Sequence, residues 1–261
     1  MSTRMHDLFA AALNELRYEP IERRIRGDDV VDSTRALLVW EPRRVVPSYA
    51  VPEADIHAEL TPVALDASTV AGVLHPGIPF TVHTAPGEPV SIGDRFAAGL
   101  RLTDPAGHVV LDFNAFDAWY EEDERVRGHP RDPFSRIDVR RTSRPVRIEL
   151  DGELLAETTD ARMLFETGIH TRFYVPKDDV HGDLLPSDRR SYCPYKGEAS
   201  YWTVAGHENI AWSYEDPLPD GPPIKGLVAF WDERVDVIVD GVPRARPGGE
   251  IATAMKDEFG V

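Results

Sequence analysis

Five short blocks of the sequence occur twice, in the same order, and this internal repeat is the strongest constraint on the fold. The paired blocks are Gly27–Val31 with Gly152–Leu155, Trp40–Glu41 with Phe165–Glu166, Tyr49–Ile56 with Phe173–Val180, Ala118–Asp123 with Ala211–Asp216, and Arg136–Val139 with Arg234–Val237. Self-similarity at a long spacing indicates that one structural unit is present more than once. The chain is therefore predicted to contain two copies of one unit, joined through residues 140–145.

Both copies consist mainly of short runs with the composition of β-strands, among them residues 36–40, 109–111, 146–150, 227–231 and 235–239. Asp151-Gly152 and Asp240-Gly241 each follow an alternating run, which is typical of a tight hairpin turn. Apolar residues at helical spacing run from Met5 to Leu16. We therefore predict an all-β fold of two tandem degenerate copies, preceded by a short amphipathic N-terminal helix.

These patterns divide the chain into four segments. Residues 1–19 are predicted to form the helix, residues 20–142 the degenerate first β domain, and residues 143–248 the second β domain. Residues 249–261 form a tail, in which Glu250 to Phe259 is a candidate for one further helix.

The composition limits the cellular compartment and the kinds of binding partner that we expect for this protein. The 261-residue chain has one cysteine and a net charge of −16, so an internal disulfide is impossible and binding to nucleic acid or anionic lipid is disfavoured. No apolar run approaches the roughly 20 residues that a membrane span needs, and the first residues lack the core of a signal peptide. We expect a cytoplasmic protein whose partner is a small molecule; the ligand, the cofactor and the oligomeric state are left open.

The loop Cys193-Pro194-Tyr195-Lys196-Gly197 holds the most reactive groups of the sequence. The proline favours an extended Cys193 and the glycine permits a sharp turn, so the loop can present the thiol. A nearby ammonium favours the thiolate, which is the nucleophilic form of cysteine. Cys193 and Lys196 are therefore candidate catalytic residues, with Glu166, at the end of a β run, as a partner or acid–base group. The alternative is a buried thiol, a surface lysine and a structural carboxylate.

Aromatic residues are dense in the second copy and could line a pocket for a flat or cationic ligand. The candidate ligand-binding residues are Tyr174, Tyr195, Tyr201, Trp212 and Tyr214. Core packing is the alternative, above all for Trp212, whose repeat counterpart is Trp119. The histidines have no metal-binding spacing, so no metal site is predicted.

Several motifs of the second copy resemble those of the domain-of-unknown-function family 427. They are Glu166-Thr167-Gly168, Phe173–Pro176, Cys193–Gly197, Ala211–Asp216 and Val235-Asp236-Val237, and the first copy resembles the family weakly. The resemblance implies a fold of the β-tent kind, which is shared with methionine sulfoxide reductase B and the thalidomide-binding domain of cereblon. Such relatives commonly hold a zinc ion through paired cysteines, which a chain with one cysteine cannot provide. The family also carries a nucleotidyltransferase label, but this sequence has no glycine-rich phosphate-binding loop that would support that activity.

The first copy contains nothing that reproduces Cys193 or Lys196. We therefore expect the second copy to hold a small-molecule pocket, with thiol-dependent chemistry as the class of reaction if it is an enzyme. The competing interpretation is a non-catalytic structural or protein-interaction module, in which this loop is only a turn. Fold alone does not decide between them.

Overall fold

A computed structural model describes residues 11–66 and 72–260 of the chain. The chain divides into two compact units, and the boundary in the sequence lies between Asp132 and Pro133. Each unit contains one seven-stranded and one four-stranded sheet, and all the strand pairings in the described ladders are antiparallel. The all-β prediction is therefore confirmed.

The first unit is built from eleven strands. They are β1 (Arg17–Pro20), β2 (Ile25–Gly27), β3 (Val31–Ser33), β4 (Leu37–Trp40), β5 (Ser48–Pro52), β6 (Leu60–Pro62), β7 (Gly87–Ile92), β8 (Arg95–Leu102), β9 (His108–Leu111), β10 (Trp119–Glu121) and β11 (Glu124–Val126). The large sheet has the order β1-β4-β5-β9-β8-β7-β6, and the small sheet the order β11-β10-β2-β3. Single 3₁₀ turns cover Glu53–Asp55 and Phe113–Ala115.

The second unit has another eleven strands and the described helix. They are β12 (Ile137–Thr142), β13 (Val146–Leu150), β14 (Glu153–Thr158), β15 (Ala161–Glu166), β16 (Ile169–Val175), β17 (Leu185–Cys193), β18 (Gly197–Val204), β19 (His207–Ser213), β20 (Val228–Phe230), β21 (Asp236–Val239), β22 (Val242–Pro243) and α1 (Glu250–Phe259). The sheet orders are β12-β15-β16-β20-β19-β18-β17 and β14-β13-β21-β22. Further 3₁₀ turns cover Lys177–Asp179 and Pro222–Ile224.

The two units share one strand order when the small sheet of the first unit is read in the direction β3-β2-β10-β11, which gives a structural basis for comparing them. Three of the five sequence blocks fall on equivalent elements. The other two do not, because β10, which carries Trp119, corresponds to β21 and not to β19, which carries Trp212. The match of Trp119 with Trp212 is therefore wrong. The match of Arg136–Val139 with Arg234–Val237 is also wrong, because β12 and β21 both belong to the second unit and lie in different sheets.

Two segment boundaries differ from those predicted. Residues 1–10 of the predicted N-terminal helix lie outside the described residues; residues 11 and 12 are helical, but Arg17–Pro20 pairs with β4 as a strand. Ile137–Thr142 pairs with β15, so this segment belongs to the second unit although it lies before the predicted boundary at residue 142. The helix expected in the tail is present as α1.

Each large sheet buries both of its faces. Successive side chains of a strand point to opposite faces, so Phe173 and Val175 of β16 enter the core against the small sheet, whereas Tyr174 joins a cluster on the other face. The face of each large sheet that packs against the small sheet is called the inner face, and the opposite face is called the outer face. The outer face is aliphatic in the first unit and aromatic in the second.

The strand registers show where this difference arises. The equivalent residues on three neighbouring strands are Ala50 and Tyr174, Val110 and Ala229, and Leu100 and Trp212. Two of these three positions therefore change from aliphatic to aromatic between units of the same topology. Four of the five aromatic residues predicted for a pocket lie on this outer face: Tyr174, Tyr201, Trp212 and Tyr214.

Gly27 provides a test of inner-face packing in the first unit. A Cβ atom at Gly27 would lie 2.7 Å from the ring of Trp119, which is itself wedged between Tyr49 and Phe116. We expect Gly27→Ala to lower the free energy of unfolding by about 1–3 kcal/mol, because the ring has no room to move. Urea unfolding followed by tryptophan emission would measure this.

Gly248→Ala is the matched control for that substitution. No atom lies within 4 Å of the added Cβ atom there, and the backbone is not left-handed. We expect a change within about 0.5 kcal/mol. Equal effects of the two substitutions would contradict the packing argument.

Candidate functional site

Five aromatic side chains, here called the aromatic face, cover the outer face of the second unit's large sheet: Tyr174, Tyr201, Trp212, Tyr214 and Trp231. All five are buried. The ring centroids of Trp212 and Trp231 are 4.5 Å apart, and Tyr201 stacks on Trp231 at 6.5 Å. Trp212 donates its indole N–H to the Tyr174 hydroxyl at 3.3 Å. The five side chains therefore belong to one buried cluster.

Lys196 lies at one end of this surface and is paired with Glu166. Its Nζ atom is 2.5 Å from the Glu166 Oε2 atom, and both side chains are about nine-tenths buried. Burial alone would lower the pKa of Lys196, but Glu166, Cys193 and Tyr174 together raise it above its usual value. Lys196 is therefore held as a buried cation, and not as a neutral amine.

The tight turn between β17 and β18 positions Lys196 and Cys193. Cys193 and Gly197 face each other across the hairpin, and Gly197 has a φ of +97°, which favours glycine. Cys193 is the single cysteine; it is half-buried and packs against the aromatic face. The structure thus brings the three candidate catalytic residues together with two tyrosines. Tyr174 interacts electrostatically with Lys196 and Glu166, and Tyr214 does so with Cys193 and Glu166.

A second buried ion pair, which the sequence patterns did not reveal, lies at another part of the aromatic face. Arg172 donates two hydrogen bonds to Glu233, of 2.7 and 2.8 Å, and both side chains are almost fully buried. Its guanidinium carbon lies 5.4 Å from the ring centroid of Trp212 and 5.6 Å from that of Trp231. Burial raises the pKa of Glu233, but the bonds from Arg172 outweigh this, and the net shift is downward.

Asp232 and His170 extend this pair away from the rings. The His170 Nε2 atom is 3.6 Å from Asp232 and 3.7 Å from Glu233. Burial raises the pKa of Asp232 to about 6, and burial followed by the charge of Arg172 lowers the pKa of His170 to about 4. The sequence signal for this group is a pair of adjacent carboxylates, Asp232-Glu233, directly after the apolar run that forms β20.

The first unit keeps one part of this arrangement. Counted from the register pairs Leu37–Ala50 and Arg162–Tyr174, Glu41 occupies the position of Glu166. Glu41 is buried and accepts hydrogen bonds from the backbone N–H groups of Thr84 and Ala85. It also lies 3.4 Å from both Arg44 and His83. A buried carboxylate beside a cation is therefore common to both units, whereas the aromatic face and the thiol are not.

Comparison with known families gives one match. Residues 138–241, which make up most of the second unit, match the family described as Domain of unknown function (DUF427). Because of this match, the second unit is called the DUF427 domain. No curated protein matches the chain significantly.

The other predicted residues of the DUF427 domain separate into buried and surface groups. Tyr195 is buried in the turn between β17 and β18, and the Tyr201 hydroxyl is 2.9 Å from that of Ser191. Glu215, which belongs to the Ala211–Asp216 motif, lies at the surface, where it pairs with Lys177 at 2.7 Å. Burial raises the pKa of Tyr174 to about 12, and it also raises the pKa of Tyr214 well above its usual value, so both hydroxyls stay protonated at neutral pH.

One small cavity of the DUF427 domain, of about 40 Å³, lies beside the second ion pair. Its lining includes His170, Asp232, Val235 and Arg244. It is therefore not the hollow between Cys193 and Lys196 that the sequence led us to expect, and that hollow stays a prediction. Within the described ranges, no three histidine, cysteine or acidic side chains are placed to hold a metal ion, and no helix is long and apolar enough to cross a membrane.

The opposite pKa shifts of Asp232 and His170 predict opposite pH effects. The folded state holds the Asp232 proton to higher pH than the unfolded state does, so this group costs stability as pH rises from about 4 to 6. We therefore expect the stability of Asp232→Asn, relative to wild type, to increase over that range. Urea unfolding at several pH values would measure the difference.

His170→Gln should show the reverse trend. His170 costs stability as pH falls from 6.5 towards 4, because the unfolded state binds the proton first. The stability of this variant relative to wild type should therefore increase as pH falls. Differences that run in the same direction for both variants would contradict the assignment.

Proposed function

We propose that the aromatic face of the DUF427 domain binds a small molecule between its two buried ion pairs. The observation that carries the proposal is the presence of two buried cations, Lys196 and Arg172, on one aromatic surface. Burying a charge costs several kcal/mol, so a buried ion pair is a poor way to gain stability. Groups that are dehydrated and paired in this way concentrate at functional sites.

Each part of the surface has a distinct role in this proposal. The rings stack on a planar group of the ligand. Lys196 donates a charge-assisted hydrogen bond to an anionic or carbonyl oxygen, and Glu166 keeps it protonated and in place. The protonated hydroxyls of Tyr174 and Tyr214 supply further donors. Cys193 packs against the same face and lies within range of electrostatic interaction with Lys196.

Ligand binding can be tested by a thermal-shift screen of a metabolite library. Lys196→Ala would leave Glu166 buried without its partner, so the double variant Lys196→Met, Glu166→Gln is preferable because it removes both charges at similar volume. We expect it to lose the stabilisation that a hit gives to wild type, since a hydrogen bond to a charged group contributes about 1.5–3 kcal/mol.

The first unit offers a matched control. The double variant Arg44→Met, Glu41→Gln neutralises the equivalent position and should keep the full response to the hit. Equal losses in both double variants would refute the asymmetry between the units. A screen in which no compound stabilises wild type would favour the interaction-module alternative.

Thiol chemistry has an independent test, because Cys193 is the single cysteine and labelling reports on one site. We expect iodoacetamide to modify wild type several-fold faster at neutral pH than it modifies the Lys196→Met, Glu166→Gln variant, because the variant lacks the neighbouring ammonium. Mass spectrometry would follow the reaction. Equal rates would rule out activation of the thiol by Lys196.

A further inference from the structure

The last turn of helix α1 lies on the aromatic face, at the side formed by Trp231 and Tyr201. The Phe259 ring centroid is 5.2 Å from that of Trp231. The backbone carbonyl of the same residue accepts a 2.6 Å hydrogen bond from Arg189, whose guanidinium group stacks on Tyr201 at 4.8 Å. One residue of the helix therefore presents an aromatic ring and an oxygen acceptor to complementary groups on the sheet.

We propose that Phe259 occupies a ligand-binding subsite, and that the ligand which takes its place there is a small aromatic carboxylate. This inference rests on the proposed function and adds the ligand class. Trp231 and Tyr201 would take the aromatic ring of the ligand, and Arg189 would take its carboxylate in place of the Phe259 carbonyl. A carboxylate suits Arg189 better than a neutral carbonyl, because the hydrogen bond is then between two charged groups.

The attachment of α1 is compatible with its displacement. Residues 247–249 are Pro-Gly-Gly, and Gly249 precedes the helix with a φ of +92° and no side-chain cap. A ten-residue helix is marginally stable on its own, so its order depends on docking. Docking also dehydrates a carboxyl group, since burial raises the pKa of Glu258 to about 7. Docking of the helix therefore carries an electrostatic cost.

Competition within one chain makes a quantitative prediction. A ligand whose site is free for only a fraction of the time binds with an apparent Kd raised by the inverse of that fraction. Removing the Phe259 ring should therefore increase the affinity for an aromatic carboxylate by about tenfold or more. A variant that alters only the exposed side of the helix should leave it unchanged.

The test uses N-acetyl-L-phenylalanine as the probe and the full chain in isothermal titration. We expect Phe259→Ala to bind the probe at least tenfold more tightly than wild type. Asp257→Ala, on the exposed side of the helix, should match wild type. Adding Arg189→Met to Phe259→Ala should abolish the gain, and N-acetyl-cyclohexylalanine, which lacks the aromatic ring, should bind poorly to every variant.

Hydrogen exchange of the α1 amides gives a second readout, in which saturating probe should speed exchange in wild type. Equal affinities of wild type and Phe259→Ala would overturn the proposal, as would the absence of probe binding to any variant. These outcomes are separate from those of the metabolite screen, because the probe does not require Lys196 or Glu166. Binding of the probe with no effect of Lys196→Met, Glu166→Gln in the screen would contradict the role of the Lys196–Glu166 pair in the proposed function, without contradicting the Phe259 subsite on the same aromatic face.

Discussion

Both faces of each seven-stranded sheet are buried, and this requirement governs the rest of the structure. Alternate residues of one strand must satisfy two different environments. In β16, Phe173 and Val175 pack against the small sheet, while Tyr174 and Arg172 serve the aromatic face. An arginine in the middle of a strand with two buried faces would be unfavourable without a partner. The turn after β20 provides that partner in Glu233.

The two ion pairs of the DUF427 domain solve the problem of a buried charge in different ways. Arg172 has a flat, weakly hydrated guanidinium, so it can lie against two indoles and still bond to both oxygens of Glu233. Lys196 has a compact ammonium and meets Glu166 through one short contact. Its remaining donor capacity is what makes it the better candidate for contact with a ligand.

Local features were predictable from the sequence, and features that join distant strands were not. The turns at Asp151-Gly152 and Asp240-Gly241 have left-handed φ values at both residues, as their dipeptides predict. Glu41 and Glu166 were matched correctly because each follows a recognisable run. Trp119 was matched with Trp212 because the letters agree, although the strands that carry them have different neighbours. The pairing of Arg172 with Glu233 spans two elements that no periodicity connects.

The equivalence of Ala50 with Tyr174 and of Leu100 with Trp212 has a consequence for how such a fold can change. Every second residue of a strand packs against the small sheet. The residues between them contact only the groups that cover the outer face. Substitutions in that second set leave the topology intact. One scaffold can thus carry a smooth aliphatic surface in one place and a charged, ring-lined one in another, without a change in strand order.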